Sequence, residues 1–88
     1  MSTPDDPLVQ GQALFQEQQF DQAIAVLSTI TPSAPRRYAE ALALIGRCHA
    51  KKRDYARAAE ILEEAYERNP QPATQYFWAE TLIHLGRK

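Results

Sequence analysis

Residues 37–70, RYAEALALIGRCHAKKRDYARAAEILEEAYERNP, decide the fold, because the 35 positions before them repeat their pattern. Sliding the chain by 35 places puts Gly11 on Gly46, Phe20 on Tyr55, Ala23 on Ala58, Leu27 on Leu62 and Pro35 on Pro70. Small falls on small, aromatic on aromatic and breaker on breaker, in one order and register. A self-similarity of this period marks stacked supersecondary units. Each unit holds two apolar stripes at helical spacing. Leu8, Gly11, Leu14 and Phe15 form the first stripe, and Tyr38, Leu42, Ile45, Gly46 and His49 form its counterpart. After a short polar break come Ala23, Ile24, Leu27 and Ile30, matched later by Ala58, Ile61, Leu62, Ala65 and Tyr66. Residues three and four apart share a helix face. No sustained alternation of period two predicts a strand.

The punctuation agrees with helix pairs. Asp6 before Pro7 reads as an N-cap followed by a proline in the first turn. Asp54 can cap the fourth helix. Asn69-Pro70 ends it, since the residue before proline avoids the α region. Thr31-Pro32-Ser33-Ala34-Pro35 is the break after the first unit. Gly46 and Ala58 predict a close helix crossing, at the short end of the usual range of about 8–10 Å.

Helix pairs of this length with small residues at the crossing resemble the tetratricopeptide repeat. The second unit carries the resemblance best, with Leu42, the pair Ile45-Gly46, Tyr55, Ala58, Ala65 and Pro70. The first matches at Gly11, Leu14, Phe20, Ala23 and Pro35, but has Pro7 and Gln10 where large apolar residues are usual, and Ile30 for the second alanine. Trp78, Ala79, Leu82 and Leu85-Gly86-Arg87 look like the opening helix of a third repeat. The resemblance implies an all-α, right-handed superhelical solenoid of about five helices. Its parts are a flexible start over 1–6, a first helix pair over 7–35, a second over 36–70, and the first helix of an incomplete third repeat over 71–88.

The resemblance also implies a concave groove lined by the first helix of each pair. Carried onto this chain, it presents Leu8, Gln12, Phe15 and Gln16, then Ala43, Arg47, Ala50 and Lys51, then Tyr76, Glu80, Ile83 and His84. Arg47 and Lys51 lie one turn apart on one face, with apolar groups at the flanks. Such a surface suits a peptide with an acidic residue between apolar ones, or the two cations are simply solvated. Related repeats that clamp the C-terminal carboxylate of heat-shock chaperones use asparagine where this chain has Gln12 and Arg47, so that specificity is not expected. On the back, Glu60, Glu63, Glu64 and Glu67 form an acidic stripe beside Arg57 and Arg68. It reads as a solvated face, or as one that repels acidic partners.

The last helix is apolar around its circumference. Tyr76, Phe77, Trp78, Leu82 and Leu85 form a candidate self-association edge, since solenoids need ends with a polar outer side. Either another copy covers this edge or a continuation beyond Lys88 does.

The composition limits other readings. In 88 residues with 44% hydrophobic and 24% charged side chains, a globular domain is expected. The net charge of −1 gives no pull toward nucleic acid. Lys51-Lys52-Arg53 with Arg47 is a small basic cluster balanced by Asp54 and the glutamates. No apolar run approaches the roughly 18–20 residues of a membrane span. Met1-Ser2-Thr3-Pro4-Asp5-Asp6-Pro7 lacks the basic and apolar segments of a secretory signal, and the lone Cys48 has no disulfide partner, so a cytoplasmic setting is expected.

No cofactor, metal site or catalytic group is expected. His49 and His84 are the only histidines and lie 35 residues apart. Cys48 points about 100° away from His49 on a helix, so the two form no nucleophile–base pair. His49 is expected to be packed between helices. The three glycines are scattered and build no phosphate loop. The leading expectation is a protein–protein interaction module. The alternatives are a small self-associating adaptor or secretion-type chaperone, and a docking segment of a larger enzyme.

Overall fold

The computed structural model describes residues 6–86. They form five α-helices: α1 Pro7–Gln16, α2 Phe20–Leu27, α3 Pro35–Lys51, α4 Tyr55–Arg68 and α5 Pro72–Gly86. No strand occurs among the described residues. Residues 1–5, most of the segment read as a flexible start, lie outside them, as do Arg87 and Lys88.

Local chemistry sets the helix ends. The Asp6 carboxylate accepts a hydrogen bond from the Leu8 amide at 3.0 Å, and Pro7 takes the first turn, where no amide donor is needed. The Asp54 side chain accepts from the Arg57 amide at 3.4 Å and caps α4. At Asn69 the backbone is extended, with φ −153°, and Pro70 follows. Pro35 opens α3 rather than closing α2, because a proline costs a helix nothing in its first turn.

The two turns inside the hairpins are alike. After α1, the Gln18 amide donates to Phe15 and the Gln19 amide to Leu14. After α3, the Arg53 amide donates to Ala50 and the Asp54 amide to His49. Both are Schellman closures, which require one residue in the left-handed region. That residue is Gln18 at φ 65° and Arg53 at φ 68°. A side chain is strained at this position, where glycine is the usual choice.

Each helix packs on the next in sequence. In addition, α1 touches α3 and α3 touches α5, whereas α2 and α4 do not meet. The odd helices therefore form one continuous inner layer and the even helices an outer one. The molecule is elongated, 44 × 26 × 18 Å. Leu27 from α2 seats against Gly11, and Leu62 from α4 seats against Gly46. Leu27, Leu62 and Cys48 are the largest side chains fully removed from solvent. Ala23, Ile30, Ala41, Leu44 and Ile45 complete the core between the two hairpins. Arg37 pairs with Asp6, and Lys52 with Asp21, so ion pairs pin both ends of α3 to the first hairpin. These pairs are solvent-exposed, so each contributes little to stability.

Candidate functional site

The inner layer carries the site, and Arg47 is its centre. Arg47 sits on α3 one position after Gly46, so the close α3–α4 crossing turns its side chain toward α1 and α5. Its guanidinium lies 4.7 Å from the centroid of the Phe15 ring and 4.0 Å from that of Phe77. Phe15 comes from α1 and Phe77 from α5. One half-buried cation thus bridges three helices through two aromatic faces, each such contact stabilising by about 0.5–2 kcal/mol. Burial lowers the Arg47 pKa from its usual range, yet an arginine stays charged at neutral pH. Among the described residues no carboxylate pairs with it and no oxygen accepts a hydrogen bond from it. The edge of the guanidinium, with its fork of N–H donors, meets no acceptor among the described residues.

Two cavities meet at this arginine. The larger, about 660 Å³, is lined by Leu8, Gln12, Phe15 and Gln16 of α1 and by Glu40, Ala43 and Arg47 of α3. Asn69, Gln71, Thr74 and Phe77 close its far side. The smaller, about 300 Å³, is lined by Arg47, Ala50, Lys51 and Arg53 from α3 and its turn. Tyr55, Leu62, Phe77, Glu80, Thr81 and His84 complete it. The sequence predicts one continuous groove. The structure has two chambers that adjoin at Arg47 and Phe77.

Most of the residues assigned to the groove from sequence line one chamber or the other. Tyr76 and Ile83 line neither and face solvent, 61% and 56% exposed. Phe77, assigned from sequence to the outer edge, lies in the wall of both chambers. It precedes Glu80 by three residues and His84 by seven, so helical spacing from those two residues points to it. The rest of that edge divides. Trp78 is half-buried against Tyr66, with ring centroids 5.9 Å apart, and Leu85 is half-buried, while Tyr76 and Leu82 are exposed.

The titratable groups nearby have structural settings. His84 stacks on Tyr55 at 4.8 Å with the rings 8° from parallel. His49 is packed between the helices: its side chain is 15% exposed, its Nδ1 has no hydrogen-bond partner, and Asp54 lies 4.0 Å away. Burial lowers its pKa, with the nearby Asp54 carboxylate opposing. Cys48 is completely buried in the core. Among the described residues no three His, Cys, Asp or Glu side chains gather as a metal site would need. On the back of α4, Glu60, Glu63 and Glu67 are exposed, while Glu64 pairs with Arg68 at 3.0 Å. Arg68 in turn covers the Tyr38 ring at 4.8 Å.

Stacked helix hairpins, close-packed through glycine and presenting an inner layer of odd-numbered helices, define a helical-repeat solenoid. The sequence profile of the tetratricopeptide repeat matches residues 8–73, three quarters of the chain. The chain belongs to the tetratricopeptide repeat family, whose repeats generally mediate protein–protein interaction. No curated protein and no solved structure matches it. No helix among the described residues is long and apolar enough to cross a membrane.

Proposed function

We propose that this chain binds a peptide segment of a partner protein along α1, α3 and α5, with Arg47 gripping an acidic side chain flanked by apolar ones. The observation that carries the reading is the Arg47 guanidinium, held between Phe15 and Phe77 and forming no ion pair with a carboxylate among the described residues. A charge kept half-buried without a partner costs free energy in the free protein, and an arriving carboxylate recovers it through paired hydrogen bonds. The apolar neighbours of that carboxylate would rest on Leu8, Ala43 and the two phenylalanine rings. Gln12, Gln16, Asn69 and Gln71 offer donors and acceptors to the peptide backbone. A cytoplasmic setting suits the buried, unpaired Cys48.

Panning a random peptide library on the chain is expected to enrich sequences with Asp or Glu between apolar residues. With Arg47→Glu the enriched sequences should lose the acidic residue or turn basic. Unchanged selection by that variant, with its fold intact by circular dichroism, would overturn the groove assignment.

A second reading is supported by the outward side of α5, where Tyr76, Leu82 and Ile83 are 61%, 45% and 56% exposed. Contiguous apolar groups on a surface mark contact sites. Self-association through them should give a mass above that of one chain in light scattering, falling to one chain in the double variant Leu82→Ser, Ile83→Ser. A single-chain mass at every concentration of the unmodified protein ends this reading.

A further inference from the structure

The smaller chamber has a charge that the groove reading does not use. Lys51, Arg53 and the shared Arg47 converge on it against one carboxylate, Glu80. Neither the Lys51 nor the Arg53 side chain has an ion-pair or hydrogen-bond partner among the described residues. This contrasts with Arg37, Lys52 and Arg68, each of which pairs with an acidic residue. The Arg36 and Arg57 side chains also have no such partner among the described residues, but they line neither chamber. The stacked rings of Tyr55 and His84 form a flat wall beside them.

We propose that this chamber is an anion subsite for a phosphate monoester, carried as a phosphorylated side chain by the segment that occupies the larger groove. The peptide part of this proposal rests on the groove reading above. Three cations less one carboxylate leave a formal charge of two to neutralise. A phosphate monoester carries about −1.5 to −2 at neutral pH and three acceptor oxygens, whereas a carboxylate brings a single charge. The cavity, about 300 Å³, falls at the small end of ligand sites. It adjoins the larger groove at Arg47 and Phe77, which line both. A peptide in the groove could therefore project one side chain past the arginine.

Arg53 makes the proposal separable from a structural role. It occupies the left-handed position of its turn, at φ 68°, where glycine would be less strained. The same position in the first hairpin is Gln18, at φ 65°, which lines neither chamber. Replacing either residue with glycine should raise the melting temperature. Only Arg53→Gly should weaken anion binding.

The test uses the whole chain labelled with 15N and phenyl phosphate as the probe, with benzoate as the singly charged comparison. Saturable shifts are expected at the amides of residues 51–55 and 80–84, with benzoate binding more weakly. In Arg53→Gly the affinity for phenyl phosphate should fall about three- to fivefold, the scale of one exposed charge contact. Gln18→Gly and Arg36→Ser, a cation removed from α3 away from the chamber, should leave it unchanged. Equal binding by Arg53→Gly and the parent overturns the proposal. So does equal binding of benzoate and phenyl phosphate, or an equal loss in Arg36→Ser, which would mean diffuse attraction only. Phenyl phosphate needs no peptide groove, so the two readings fail separately. An Arg53-independent result leaves the acidic-peptide selection standing. Phosphate binding that depends on Arg53, with no peptide enriched by panning, removes the groove.

Discussion

Gly46→Leu lowers the folding stability of this chain by about 3 kcal/mol or more, the upper part of the range for overpacking a filled core. A Cβ at Gly46 would stand 2.7 Å from Leu62 Cγ and 2.8 Å from its Cδ2. Cγ is the branch point of that side chain and cannot swing aside like a flexible tip. Leu62 is also fully buried, held within the core of the second hairpin. The α3–α4 crossing must therefore widen, which loosens the contact on which the second hairpin depends. A chain of this size has a total stability of about 4–13 kcal/mol, and each kcal/mol moves the melting temperature by about 4–8 °C. The expected fall is about 12 °C or more by circular dichroism. Gly86→Ala serves as the control, because nothing lies within 4 Å of a Cβ placed there. Adding Leu62→Ala to Gly46→Leu should cost much less than the two changes summed, since the new leucine fills the vacated space. A Gly46→Leu protein that melts within 2 °C of the parent would show that the helices do not meet closely at this point.

The second large effect concerns Cys48. Its side chain is fully buried, and burial pushes its thiol pKa up to about 11, against a partial lowering by Arg47 and Lys52. At pH 8 the thiolate, which is the reactive form, is then about a hundredfold scarcer than in an exposed cysteine. Alkylation by iodoacetamide at pH 8 is expected to run at least that much slower than in the chain unfolded by urea. Closed packing adds to the protection, so labelling should proceed through transient opening and quicken in Gly46→Leu. The linkage has a definite sign. A thiol whose pKa is raised on folding contributes stability that is complete below the unfolded value near 9. That stability is lost as pH rises toward 11. Melting temperature should therefore decline between pH 8.5 and 10.5, and decline less in Cys48→Ala. Native protein that alkylates as fast as the unfolded chain would contradict the burial of this helix face.

The readings that succeeded from sequence rest on local or periodic features. The repeat at 35 residues, Gly11 and Gly46 at the helix crossings, the caps at Asp6 and Asp54, and the stop at Asn69-Pro70 each follow from spacing or from one residue's backbone chemistry. Three features depended on how the helices sit against one another. Phe77 turned into the groove, the groove divided at Arg47, and the aromatic edge of α5 split into inward and outward members. The positive φ at Gln18 and Arg53 was also hidden, because neither residue type signals the left-handed conformation that the hydrogen-bonded turn imposes.

By itself the sequence determined that this protein is built from helix hairpins, where they break, and which residues let them approach, because those properties are carried by neighbours along the chain. Only the tertiary structure decided which side chains share a chamber and which cations are left without partners. Each residue turns a helix by about 100°, so a small rotation of α5 against α3 chooses whether a ring meets Arg47 or water. That rotation is fixed by packing between helices far apart in sequence, which no local pattern records.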